Sequence, residues 1–360
     1  MLKRVASVVL VGFLTLNGTS AGAQDQFEDR LRAVAVAGAA KANAAVFLDV
    51  QGCGISFSEA IGIADRAAAL APDTGMSLRL GSVGKLYTAA VIHRLAARGT
   101  LDLDAPASRY LRPDDAVGVS NREATLRQLL NHTGGVADYY SLPDIRRWDW
   151  RAPITPARVL TAIRGRPATG VPGTAYSYSN SGYHLVALVA ERATDTSFAE
   201  LVQAEVITPL DLRETQYNTV APGGLLHGYV GRRDWWDSAE NTGPDSGITA
   251  TLSDTRKYLR ALFVDPGPLN ETGRAMVEDP VQTGNPRQQA GAGAEVRTTR
   301  EGLRFVGHTG DVEGYLSFAY AAPDNDLTMI SHISASDKDA FADILRTTAQ
   351  IVATACGAAE

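Results

Sequence analysis

A serine and a lysine three residues apart, Ser82 and Lys85, stand at the head of a long apolar run. On a helix they share one face, about one turn from each other. The serine hydroxyl would lie in the first turn, where unpaired N–H groups and the positive end of the helix dipole favour developing negative charge. The lysine, one turn deeper in low dielectric, would have its charged form disfavoured, so its amine could accept the serine proton. That is nucleophile chemistry. It needs a second proton relay beside the serine and donors for an oxyanion. Tyr178-Ser179-Asn180 offers a phenol that can pass a proton to a leaving group and a carboxamide that can hold a substrate carbonyl. His308-Thr309-Gly310 follows an edge-like strand pattern, where a substrate backbone could pair alongside and glycine permits close approach.

The elements that must position these residues follow from periodicity. Val83, Leu86, Ala89, Ala90, Val91, Ile92, Leu95 and Ala96 make a helix apolar nearly all round, hence buried on most sides, with Arg98-Gly99 at its C-terminal cap. An opening helix is predicted over 27–40, then strands over 44–50 and 55–64 around the turn Gln51-Gly52-Cys53-Gly54. A short helix over 124–130 runs into the glycine loop Asn131-His132-Thr133-Gly134-Gly135. Helical spacing dominates from there to about 210, with Tyr178 and Asn180 on a short loop between two helices. Residues 213–246, glycine-rich and carrying Trp235-Trp236, read as a long surface segment. Strands are predicted over 292–298, 303–306, 315–321 and 327–333, and a closing amphipathic helix over 339–355. Strands at both ends and helices between them predict an α/β (α+β) fold. One antiparallel sheet is flanked by the N- and C-terminal helices, an all-helical lobe is inserted, and the cleft between lobes is the site. The α/β lobe takes residues 24–78 and 244–360, the helical lobe 79–243.

Composition sets the setting. The chain has 360 residues, 45% hydrophobic and 21% charged, with a formal net charge of −6 and no basic stripe, which argues against a nucleic-acid partner. Lys3 and Arg4, an apolar stretch over 5–16 and Ala21-Gly22-Ala23 read as an export signal cleaved near Ala23, which places the mature domain (24–360) in the periplasm or outside the cell. Roughly a dozen apolar residues fall short of the about 20 needed to span a bilayer, so no stable membrane anchor is expected. Cys53 and Cys356 could be bridged in an exported chain or stay as buried thiols. Neither a metal-ligand spacing nor a phosphate-binding loop is present, so no metal and no cofactor are expected.

Ser-x-x-Lys, then Tyr-x-Asn, then [Lys/His]-[Ser/Thr]-Gly, in this order, resembles the serine β-lactamase and penicillin-binding superfamily. The surroundings are similar to its class C β-lactamase, D-alanyl-D-alanine carboxypeptidase and esterase branch. Supporting stretches are Leu129-Leu130-Asn131-His132-Thr133-Gly134-Gly135, Tyr178-Ser179-Asn180-Ser181-Gly182-Tyr183 and Gly247-Ile248-Thr249-Ala250-Thr251-Leu252-Ser253-Asp254. The resemblance covers roughly residues 30–350. It implies Ser82 as acylated nucleophile, Lys85 as activating base and Tyr178 as proton shuttle for leaving group and water. It further implies Asn180 as the residue orienting the substrate amide, His308, Thr309 and Gly310 as the strand side of the site, and the backbone N–H groups of Ser82 and Asp311 as the oxyanion hole. His-Thr-Gly occurs twice; His132 precedes Tyr178 and follows a helix, so it takes a structural role and His308 the third motif. In the family's sheet the first strand pairs with the last, which brings Cys53 and Cys356 to one side and implies a disulfide.

One departure bears on function. The third motif begins with His308, not the lysine typical of class C β-lactamases, and an imidazole of ordinary pKa ~6.5 is mostly neutral at pH 7. That tilts expectation from a dedicated β-lactamase toward a carboxypeptidase, D-aminopeptidase or esterase, with an exported D-alanyl-D-alanine carboxypeptidase or D-peptidase acting through a Ser82 acyl-enzyme as the leading reading. A class C-like β-lactamase or carboxylesterase is the alternative, and a penicillin-binding sensor with little turnover the non-catalytic one. The expected partner is a small molecule or peptide: a D-amino-acid peptide, a β-lactam or an ester.

Overall fold

The computed structural model describes residues 21–220, 223–238, 240 and 242–357. Lys3, Arg4 and the apolar stretch 5–16 of the expected leader lie outside the described residues; Ala21-Gly22-Ala23 opens the first helix. Helix α1 (Ala21–Ala42) leads into the hairpin of β1 (Val46–Gly52) and β2 (Ile55–Ile61). A short strand β3 (Leu78–Arg79) precedes the serine turn and α2 (Gly84–Ala97). Helices α3 (Leu126–Leu130), α4 (Pro156–Ala162), α5 (Asn180–Thr194) and α6 (Phe198–Val202) follow. Short strands β4 (Gln216–Tyr217), β5 (Tyr229–Val230), β6 (Arg233–Asp234) and β7 (Ile248–Ala250) come next. Helices α7 (Leu252–Leu259) and α8 (Pro268–Met276) lead to β8 (Val281–Gln282), β9 (Gln288–Ala290) and β10 (Glu295–Thr298). The chain closes with β11 (Arg304–Val312), β12 (Tyr315–Ala322), β13 (Leu327–Ile333) and α9 (Lys338–Ala355).

The main sheet is antiparallel in the order β2-β1-β13-β12-β11-β10-β9-β8, so strands from both ends of the chain meet where β1 pairs with β13. Alternation along β1 sorts its side chains between two cores. Val46, Leu48 and Val50 join Leu31 and Ala35 of α1 and Ile344 and Ile351 of α9. Phe47 faces the other way, into the core built with Leu86, Val91 and Leu95 of α2 and Val186 and Val189 of α5. Asp49, also fully buried, is tied by an ion pair to Arg256 of α7. Among the described residues no helix is long and apolar enough to cross a membrane.

Three sequence expectations change. The strand expected over 303–306 is longer: β11 runs to Val312 and carries His308-Thr309-Gly310 in its interior, not beyond its end. Its glycines resemble a turn, but they serve close packing, as the site shows. The stretch before 292 holds β8 and β9, which extend the sheet. The segment expected at the surface over 213–246 is so only in part: Arg213, Gln216, Arg232 and Trp236 are exposed, but at its end Ser238, Glu240, Thr242, Asp245 and Ser246 are buried, with polar atoms hydrogen-bonded and no apolar period to announce them.

Cys53, in the β1–β2 turn, and Cys356, the C-terminal cap of α9, form a disulfide with a Cα–Cα distance of 5.0 Å across 303 residues of chain. Since α9 doubles back over antiparallel β13, its end arrives at the end of β1. Cross-linking so distant a pair restricts the unfolded chain, typically by 2–4 kcal/mol. The Cys53→Ser protein is therefore expected to lose roughly 2–4 kcal/mol in urea unfolding. An unfolding midpoint unmoved by the substitution or by reductant would remove the disulfide from the stability of the fold.

Candidate active site

Ser82 sits on a single 3-10 turn, Gly81–Val83, that continues into α2. The turn is pressed against β11. Gly81 has φ +56°, and a Cβ there would lie 3.2 Å from the Asp311 nitrogen; a Cβ on Gly310 would come within 2.0 Å of the Leu80 carbonyl oxygen. Both glycines are thus required for backbone to meet backbone. The last ladder pair between β10 and β11 is Glu295 with Gly307. Beyond it, residues 308–312 pair only with β12, and their other edge faces the serine turn. The strand is interior to the sheet, yet locally an edge.

Lys85 is wholly buried in the first turn of α2, one turn after Ser82. Its Nζ lies 2.9 Å from Ser82 Oγ, 2.7 Å from Asn180 Oδ1 and 3.0 Å from the Asp245 carbonyl oxygen. Burial lowers its pKa to about 8, against the opposing pull of the Asp245, Asp138 and Glu295 carboxylates. The neutral amine has two hydrogens and one lone pair. With Asn180 Oδ1 and the Asp245 carbonyl as fixed acceptors, the lone pair is left for the serine hydroxyl.

Tyr178 Oη lies 3.0 Å from Ser82 Oγ on the other side, and burial holds its phenol well above its usual pKa, hence protonated. Its ring stacks on His132 at a centroid distance of 4.2 Å. His132 in turn accepts the Ser179 N–H at Nδ1 over 3.1 Å, so this second histidine positions the Tyr-x-Asn stretch. Ser179 caps α5 by accepting from the Gly182 N–H, which makes Asn180 the first helical residue and corrects the expected loop. Asn180 Nδ2 donates to Asp138 Oδ1 at 3.2 Å, so one of its two amide hydrogens is engaged within the protein.

His308 is buried, with Nδ1 2.5 Å from the Thr309 carbonyl and Nε2 4.0 Å from Glu295 Oε1. Burial lowers its pKa despite that carboxylate, so it stays neutral near pH 7. Ser82, Tyr178, Asn180, His308, Thr309 and Asp311 line one cleft of about 470 Å³, shared with Glu240, Glu295, Glu313 and Lys338. Every site residue named from the sequence, apart from the two cysteines, is therefore at or against this cleft.

Several contributors had no sequence signal. Asp245 holds Lys85 through its carbonyl, while its carboxylate accepts from Tyr139 Oη at 3.0 Å and meets His184 Nε2 at 2.9 Å. Asp138, Glu240 and Glu295 are acids at no fixed spacing from any motif. Their roles exist only in three dimensions.

This fold and this serine–lysine–tyrosine cluster define a serine hydrolase of the β-lactamase and penicillin-binding type. The Beta-lactamase family model matches residues 25–353, and the chain belongs to that family. It is 25% identical over 314 residues to penicillin-binding protein 4* of Bacillus subtilis, covering 81% of this chain and 68% of that one. It is 29% identical over 297 residues to esterase EstB of Burkholderia gladioli, covering 70% and 71%. It is 27% identical over 282 residues to a D-aminopeptidase of Cereibacter sphaeroides, covering 76% of this chain but only 53% of that protein. Among solved structures, D-amino acid amidase from Ochrobactrum anthropi SV3 complexed with D-phenylalanine superposes with TM-score 0.77 at 18% identity, over 91% of this chain and 99% of that one.

If Lys85 acts as the base, kcat/KM for a neutral ester rises with pH and levels off above about 8. Asp245 stabilises the ammonium form, so Asp245→Asn is expected to move that limb to lower pH. A pH–rate profile between about 6 and 10 checks the sign; a limb that stays or moves upward assigns the titration to another group.

Proposed function

We propose that the protein hydrolyses amide or ester bonds of D-amino-acid derivatives through an acyl-enzyme on Ser82. The observation that carries this reading is the buried amine of Lys85, its Nζ 2.9 Å from Ser82 Oγ and its pKa lowered by burial, so that its neutral form can take the serine proton. Ser82 Oγ–H gives its proton to Lys85 Nζ as Oγ bonds to the substrate carbonyl carbon. The resulting oxyanion is held by the N–H groups of Ser82 and Asp311, on the serine turn and the facing strand. Collapse breaks the bond to the leaving group, which takes a proton from Tyr178 Oη; Tyr178 is reprotonated from Lys85. Water then attacks the ester, its proton leaving by the same path, and the acid departs with Ser82 restored.

Among members of the family, the charge of the cleft supports the aminopeptidase and amidase side over the carboxypeptidase first expected. A substrate carboxylate needs a free cation beside β11. Lys338 stands at the exposed rim and pairs with Asp311 at 2.7 Å, Arg297 is held by Glu295 at 2.9 Å, and burial keeps His308 neutral, so no cation is buried within the cleft for a carboxylate among the described residues. The leader pattern at 1–23 and the disulfide support export; recovery of the chain from the periplasm with Gln24 at its N-terminus tests it.

Incubation with p-nitrophenyl acetate is expected to add one acetyl group to Ser82 by intact-protein mass spectrometry, and Ser82→Ala to abolish both labelling and turnover. Labelling that survives Ser82→Ala refutes the nucleophile. Lys85→Ala and Tyr178→Phe should each cost at least about 10² in kcat, and the double variant little more than the worse single, since both lie on one proton path. A burst of one equivalent followed by no turnover on every ester and D-peptide amide would favour the sensor reading instead. His308→Lys, which places a cation beside β11, is expected to raise turnover of nitrocefin relative to p-nitrophenyl acetate. An unchanged ratio would place selectivity elsewhere.

A further inference from the structure

Glu240 is a carboxylate that nothing in the acyl-transfer chemistry uses. It is 3% exposed and lines the same cleft as Ser82. Its Oε1 accepts from Tyr140 Oη and its Oε2 from the Glu313 N–H at 3.0 Å. Two oxygens offer about four acceptor sites, so two remain. Among the described residues no cation pairs with it, nor with Glu313 beside it. The nearby cations make their contacts elsewhere: Lys85 with Asn180 and the Asp245 carbonyl, Lys338 with Asp311 at the exposed rim, Arg297 with Glu295, and buried Arg79, whose charge reaches Glu240 without contact, through Nη2 with the carbonyls of Val220 and Trp236. Burial, with Glu313 and Asp311 acting in the same direction, raises its carboxyl to about 7. A buried carboxylate with two donors and no cation in contact is costly unless something cationic arrives. Its position is also rigid, since the Tyr140 ring packs on Tyr139 at 4.8 Å and Trp150 at 5.8 Å.

We propose that Glu240 is the anchor for a substrate ammonium group, so that the preferred acyl donors are amino-acid amides and peptides with a free α-amine, not N-acylated or anionic ones. This rests on the Ser82 cleft being the substrate site. The ammonium supplies the missing counter-ion and donates to the two open acceptor positions, and Glu313 strengthens the field without a contact.

Calorimetry on Ser82→Ala protein, where turnover cannot obscure binding, is expected to show D-phenylalanine amide binding roughly 10- to 100-fold tighter than N-acetyl-D-phenylalanine amide, the range for a hydrogen bond to a charged group. Glu240→Gln on that background is expected to erase the preference. Equal binding of the two amides, no measurable binding of the free amine, or a preference that survives Glu240→Gln overturns the assignment. If Glu240→Gln fails to fold, the two amides on Ser82→Ala protein still decide it. Acetylation of wild-type protein by p-nitrophenyl acetate reports on Ser82 separately, so failure of the nucleophile and failure of the ammonium anchor give different results.

Discussion

Burying the amine of Lys85 is the constraint on which the site depends. A lysine taken out of water loses the hydration of its charge, and the loss is tolerable only if its hydrogens find acceptors. Two elements distant in sequence each supply one, the first residue of α5 and the segment before β7, while the adjoining serine turn brings Ser82 Oγ to the remaining position on the amine. The α2 helix is therefore fixed against both at the level of single atoms, and its apolar surroundings do the rest. Displacement of either would leave a buried N–H unpaired, at about 1–3 kcal/mol. Catalytic geometry and fold stability are in this sense one requirement. The low dielectric that makes the amine a base is the same burial that forces its acceptors into place.

The oxyanion side is built differently, by subtraction of side chains. Gly81 and Gly310 let the serine turn and β11 approach until backbone meets backbone, which no residue with a Cβ would allow. β10 stops pairing at Gly307, and the freed edge of β11 is what the serine turn occupies. A sheet that continued its ladder there would have no site. Tyr178 is held from behind by His132, whose ring stacks on it and whose Nδ1 fixes the following backbone N–H. One His-Thr-Gly copy thus faces the substrate and the other sets the tyrosine.

Much of this was legible in the sequence, and what was not has a common physical origin. Ser82, Lys85, Tyr178, Asn180 and His308 stand out because their chemistry is encoded in residue type and short spacing. The sheet strands β1 and β13 are visible as short apolar runs bounded by turn residues, and α2 in its all-round apolarity. The end of the 213–246 segment misled because the burial of Ser238, Thr242 and Asp245 is carried by hydrogen bonds, which have no period and look like surface. β11 was cut short for a related reason: glycines at 307 and 310 resemble a turn until the chain packed against them is known. Glu240 and Asp138 belong to the same class. A carboxylate becomes informative only once its counter-ions, or their lack, can be seen.

The charges that set the base also set the choice of substrate. Asp245, Asp138 and Glu295 all hold the Lys85 ammonium, and without them burial alone would carry its pKa below about 8. Lys85 in turn depresses His308, so the base and the head of the third motif feel each other across the cleft. A lysine at 308 would bring a second permanent positive charge to that field and drive Lys85 toward its neutral form, while giving a substrate carboxylate somewhere to bind. A neutral histidine does neither. It leaves the cleft net acidic, with neither Glu240 nor Glu313 in an ion pair among the described residues, the field that the proposed ammonium-bearing substrate would meet. Substrate charge and base strength are therefore coupled through position 308, and a change there acts on both.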